Sequence, residues 1–197
     1  MSTAEIIGLA ASFSLFAGWR LYACVAIAGL AMRLGLIDAP MNIPQLDALA
    51  NPWVIGIATM GALAELFADK VMWLDSLWDG IHTFIRPIGG ALLALAIVDA
   101  SDPAWQIIVL LLGGGVALLG HGAKAGTRTL INTSPEPFSN MAVSGVEDVL
   151  TLAGLWLALI HPGVALILVA ALLAVCGLIV VASWRLVMKV RRWRSSA

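Results

Sequence analysis

Long apolar runs separated by short polar breaks dominate this chain. Six runs stand out, and a helix needs roughly 20 residues to cross a hydrocarbon core. The first extends from about Ala4 to Leu36, too long for one straight crossing. It holds Ala17-Gly18-Trp19-Arg20 near its middle, where a break, tilt or bend is expected. The second runs from Pro52 to about Lys70. Pro52 suits a first helical turn, where a missing N–H goes unnoticed. The third runs from about Ile81 to Val98 and contains Pro87-Ile88-Gly89-Gly90. The fourth starts near Pro103, is apolar to Gly120, and continues in polar form toward Asn132. The fifth runs from about Asn140 to Ile160 and the sixth from Pro162 to about Val187. Between the first two, the hydrophobics Met41, Ile43, Leu46 and Leu49 of loop 37–51 predict a short helix on the membrane surface.

Composition agrees. Of 197 residues, 61% are apolar and 12% charged, whereas soluble domains carry about 25% charge. The expected fold is an all-α membrane protein with about six transmembrane helices. It forms a single integral membrane domain over residues 1–197, whose last residues, 189–197, are a basic cytoplasmic tail. Cys24 and Cys176 lie in apolar runs and define no disulfide or C-x-x-C site. Glu5 stands where a signal peptide would be basic, so no cleaved leader is expected.

Charge placement sets an orientation. The turns at 99–103 and 161–162 carry no Lys or Arg and share a side with loop 37–51. Lys70, Lys124, Arg128 and the basic C-terminus occupy the other side, with Arg33 the one dissenter. The positive-inside rule makes that side cytoplasmic and expects both termini there. The C-terminal cluster follows an apolar span directly, which favours a membrane anchor and excludes nucleic acid as a partner.

The order of features also allows two inverted three-helix halves, 4–99 and 103–188, with a broken first helix in each. Ala17-Gly18-Trp19-Arg20 matches Ala125-Gly126-Thr127-Arg128. Each is followed by a proline-containing connection and then a span with two acids, Glu65 and Asp69 or Glu147 and Asp148. Inverted repeats of this kind recur in transporters.

The ionisable residues carry the candidate chemistry, because charges in a span are costly and need partners. Glu65 and Asp69 are four apart and share a helix face. Asp69 and Lys70 read as the end of a span meeting water. Asp75, Asp79, His82 and Arg86 form one polar stripe. Asp79 and His82 are metal-ligand types, but two residues make no site, and the metal stays unknown. His121, Lys124 and Arg128 share another face. Asn132 and Glu136 flank a Pro-rich stretch that suits a gate or binding segment, and Asn140, Ser144, Glu147 and Asp148 approximate a face of the fifth span. With Arg20, these residues (Asp75 and Lys70 set aside) are the candidates for ion binding or proton relay. No catalytic triad, H-E-x-x-H or phosphate loop occurs, and no cofactor is expected.

The order A-G-W-R, P-W, E-L-x-A-D-K, D-S-x-W-D, H-T-x-I-R-P, H-x-x-K-A-x-x-R, N-x-S-P-E-P-x-S-N and S-x-x-E-D resembles an uncharacterised bacterial integral membrane family, catalogued as domain of unknown function 4126. The resemblance covers about Ile7 to Leu178. It implies a bacterial inner-membrane protein and supplies no activity. Glu65 to Lys70 is also similar, by analogy, to the E-x-G-D-K signature of manganese/calcium–proton exchangers, but the spacing differs and the glycine is missing.

The leading expectation is a small secondary transporter or permease for an ion or small solute, proton-coupled through buried carboxylates and histidines. Its partners would be the lipid bilayer, that solute and, in a homo-oligomer, further copies. The alternatives are a scaffold whose ion pairs lock helices together, and a membrane enzyme acting on lipid headgroups through His121 and the Glu136 segment.

Overall fold

Proline opens most of the helices, as its fixed φ and missing N–H favour at a first turn. The computed structural model describes residues 1–37, 44–70, 72–131 and 137–195. Its helices are α1 (Thr3–Arg33), α2 (Pro52–Ala68), α3 (Met72–Val98), α4 (Pro103–Ile131), α5 (Pro137–Ile160) and α6 (Pro162–Ser195). A 3-10 helix over Pro44–Ala50 takes the place of the expected surface helix. No strand occurs among the described residues. α1, α4, and Leu77–Val98, Met141–Ile160 and Pro162–Arg192 are long and apolar enough to cross a membrane. The 17 residues of α2 rise about 25 Å and form a shorter apolar helix.

α1 spends its length differently from a straight crossing. At Arg20 the backbone leaves the helical conformation, at φ −139° and ψ 70°. Contacts on the two sides of that break run in opposite directions. Before it, Thr3 and Ile7 line a cavity with Val98 and Trp105, and Gly8 meets the Pro162 carbonyl. Ser14 then donates to Gly90 O at 3.1 Å, and Gly18 abuts the Ala117 carbonyl. This arm therefore enters from the end marked by Val98 and Pro162 and reaches the middle of α3 and α4. After the break, Tyr22 packs on Gly61 and Gly29 meets the Leu49 carbonyl and Ile55. α2 runs antiparallel to α3, since Val54 shares a cavity with Leu92 while Glu65 pairs with Arg86. The second arm thus returns toward the end where α1 began. α1 is a V with Arg20 at its apex.

α6 runs alongside α4 in the same direction, because Gly122 faces Val180 and Gly126 faces Ser183. Its basic end lies opposite Thr3.

The anticipated break in each half occurs only in the first. α4 is continuous through Gly126-Thr127-Arg128. Thr127 Oγ1 donates back to Ala123 O at 2.9 Å and stays within the helix. Trp19 instead reaches across, its indole donating to Gly120 O at 3.0 Å.

The core lies along the V. Phe13, Leu15, Phe16, Cys24 and Ala28 are buried against Leu93, Leu155, Ala158, Ala165 and Val169. Outward positions such as Trp53, Met60, Phe84, Leu111, Trp156 and Ile167 stay exposed, as a lipid-facing surface requires.

Candidate functional site

The apex of the V carries Arg20 into the middle of the bundle. Its Nη1 pairs with Asp69, and its Nη2 lies 2.6 Å from Asp148 Oδ1 and 3.1 Å from Ser144 Oγ. Asp69, just past the end of α2, also takes Lys124 Nζ at 2.8 Å and Arg128 Nη2 at 3.6 Å. The expectation that Asp69 meets water at a span end is corrected. It is fully buried, because α2 is short and delivers its C-terminus to the centre of the bundle rather than to a surface. Lys70, the next residue, does keep a third of its side chain exposed, 3.6 Å from Asp148 and 3.0 Å from Ser144 Oγ.

A second focus forms around Arg86 on α3. Its guanidinium donates to Glu65 Oε1 at 2.7 Å, Asp79 Oδ1 at 2.8 Å and His121 Nδ1 at 2.7 Å. Arg86 and Glu65 are fully buried. The Thr83 hydroxyl donates to Asp79 O at 2.9 Å, so it accepts from His121 Nε2–H at 3.0 Å. That leaves His121 Nδ1 as the lone-pair nitrogen facing Arg86 and fixes one tautomer. Lys124 links the two foci, lying 3.8 Å from Asp79 and 3.9 Å from Glu147. Arg128 closes the set, 3.3 Å from Glu147 and 3.4 Å from Asp75.

Most of the candidates therefore converge. Arg20, Glu65, Asp69, Asp79, Arg86, His121, Lys124, Arg128, Ser144, Glu147 and Asp148 form one interlocked network across five helices. His82 stands at its margin. Its Nδ1–H donates to Trp78 O at 2.7 Å, its Nε2 accepts from Tyr22 at 3.0 Å, and its ring stacks on Trp78. Asn132 and Glu136 lie outside the described residues, as does the Asn140 side chain. No group of three metal-ligating side chains occurs among the described residues. Sequence reasoning missed Tyr22, Thr83 and Thr151 as participants and left Asp75 and Lys70 out. Asp75 was findable, since it sits four residues before Asp79 on the same stripe.

The family model described as a domain of unknown function (DUF4126) matches residues 7–183. The chain belongs to that family. Searches of curated proteins and of solved structures gave no match. Membership carries no activity with it, so the geometry of this DUF4126 site has to carry the functional argument.

Beside the network lies a cavity of about 180 Å³ between α1, α2 and α5. Arg20, Glu65, Asp148 and Thr151 line it, together with Leu63, Leu66 and Leu152. Arg20 Nε, Glu65 Oε2 and Thr151 Oγ1 are buried and take no hydrogen bond among the described residues. These atoms are themselves closed off from the cavity, whose accessible lining is mostly apolar. At about 30 Å³ per molecule the space is large enough for several waters or one small solute.

Proposed function

We propose that this protein is a small secondary transporter or permease for an ion or small polar solute, working by alternating access around the Arg20 network. The observation that carries the reading is the apex of the V. A helix broken deep in an apolar bundle, with its break beside buried charges and a small cavity, is the arrangement found where transporters bind cargo. Irregular backbone at membrane depth is tolerated where it lines protein or water, and ionisable groups there are costly unless used. The protein would sit in a bacterial inner membrane with its basic C-terminus in the cytoplasm and its N-terminus on the opposite side.

The test is flux in proteoliposomes containing the full chain, measured for protons, alkali cations and small anions. Glu65→Gln and Glu147→Gln are expected to lower flux at least tenfold while leaving the folded protein intact. If the wild type moves none of these species under an imposed gradient, the transport reading fails.

A scaffold is the second reading. It is favoured by the close pairing of most network charges and by the modest size of the cavity. Under it, the charges only fix helix packing, a use that buried ion pairs also have.

A further inference from the structure

Among the described residues the buried network is one positive charge short. Glu65, Asp69, Asp75, Asp79, Glu147 and Asp148 face Arg20, Lys70, Arg86, Lys124 and Arg128. Of the other described cations, Arg33 ends α1, and Arg185, Lys189, Arg191 and Arg192 are exposed on α6. Beyond the described side chains the sequence offers one more cation, Arg194, near the C-terminus. A carboxylate buried without compensation costs several kcal/mol, and such a group takes up a proton instead.

Distances single out which one. Glu65, Asp69, Asp79 and Asp148 each have a cation within 2.8 Å. Glu147 has Arg128 at 3.3 Å and Lys124 at 3.9 Å. Asp75 has Arg128 Nε alone, at 3.4 Å, and Arg128 is shared with Asp69 and Glu147. Asp75 is 4% exposed, and its Oδ1 is buried with no hydrogen bond among the described residues.

We propose that Asp75 is a proton-binding site of the buried network. The groups facing it are Asp69 from the end of α2, Asp79 one turn along α3, Lys124 and Arg128 from α4, and, across Arg128, Glu147 from α5. Binding is simple protonation of the carboxylate from solvent, with no other bond made or broken. Burial pushes the Asp75 carboxyl up to about 7, with Arg128 pulling against it and Asp69 and Asp79 reinforcing it. Exchange therefore falls in the neutral range.

The sign for stability follows. An unfolded aspartate titrates near about 3.9. Between there and about 7 the folded chain binds more protons than the unfolded one. Stability is full at the acid end of that window and falls as pH rises through it. The inference stands without transport; if the transport reading holds, Asp75 is its proton carrier.

The experiment is infrared titration of the full chain in lipid nanodiscs, following the C=O stretch of protonated carboxyl groups from about pH 5 to about pH 9. One band is expected to lose half its amplitude near pH 7, to vanish in Asp75→Asn and to persist with a moved midpoint in Asp75→Glu. Excess sodium at fixed pH should leave it unchanged. A band surviving Asp75→Asn, no titrating band at all, or displacement of the proton by sodium overturns the proposal. If Asp75→Asn does not fold, an unmoved midpoint in Asp75→Glu overturns it equally. A titrating Asp75 without flux would count against the transport reading alone.

Discussion

The two stretches of the bundle on either side of Arg20 hold their helices together by opposite means. Toward the end marked by Thr3, Val98 and Pro162, backbones touch. A Cβ on Gly113 would lie 2.6 Å from that of Ala94, and Gly8, Gly18 and Gly90 are as tightly enclosed. Small residues let helices approach closely, and dispersion contacts then stabilise the pair at no electrostatic cost. From Arg20 onward, α2 to α5 are joined to α1 and to each other by charges. That region could have been built like the first. Buried ion pairs seldom add more stability than well-packed hydrophobic residues of the same volume. In this chain they join five helices, which is the feature the proposed function rests on.

The sharpest way to break this contrast is at Arg86. Arg86→Leu leaves Glu65 and Asp79 buried without their closest cation. The expected loss is about 3–5 kcal/mol, the range for removing one partner of a buried pair, read as a large drop in thermal midpoint in detergent. Replacing Glu65 in the same chain, as Glu65→Leu with Arg86→Leu, should recover much of that loss while abolishing flux. A double variant as unstable as the single one would show that the network is needed to hold the fold.

The opposite region has its own test of intermediate size. Gly18 sits against the Ala117 carbonyl and the His121 backbone nitrogen, next to the break in α1. Gly18→Val must push α1 away from α4, because its Cβ alone would lie 2.2 Å from the Ala117 carbonyl oxygen. Overpacking of this kind costs about 1–3 kcal/mol. The same substitution at Gly56 or Gly115, where a Cβ meets nothing, should stay near wild type. Equal effects at all three sites would dissolve the distinction between packed and charged regions.

Much of this arrangement was legible in the sequence, and the reasons are physical. Apolar runs opening on Pro52, Pro103 and Pro162 give the helices, because length and proline geometry act locally. Helical periodicity correctly put Glu65 with Asp69, and His121 with Lys124 and Arg128, on shared faces. The break at Arg20 was visible as a polar interruption of an overlong run. The direction taken after it was not, since a single non-helical residue can redirect a chain either way and packing decides. The depth of Asp69 was hidden for a related reason: hydropathy ends a span at the first charges, whereas here the charges meet inside the bundle. The likeness of Ala17-Gly18-Trp19-Arg20 to Ala125-Gly126-Thr127-Arg128 gave one bend rather than two, because Trp19 and Thr127 place their hydrogen bonds across helices and within one helix, respectively.

The smallest expected effect probes where the charged region meets solvent. Lys70 is the one network cation with a substantially exposed side chain, at 32%. Its Nζ sits 3.6 Å from Asp148 Oδ2, while Arg20 already holds Asp148 Oδ1 at 2.6 Å. Water screens the first contact, and little of it survives as net stabilisation. Lys70→Ala should therefore cost less than about 1 kcal/mol, the ceiling for an exposed pair, and the cost should shrink in high salt as screening rises. Removing Lys70 also leaves the network a further charge short, next to Asp148 rather than Asp75. If charge balance governs proton uptake, the Asp75 titration should rise in pH slightly in Lys70→Ala, since the added negative field favours the protonated acid. A thermal midpoint as low as that of Arg86→Leu would place Lys70 inside the buried network and move the boundary between the two regions outward.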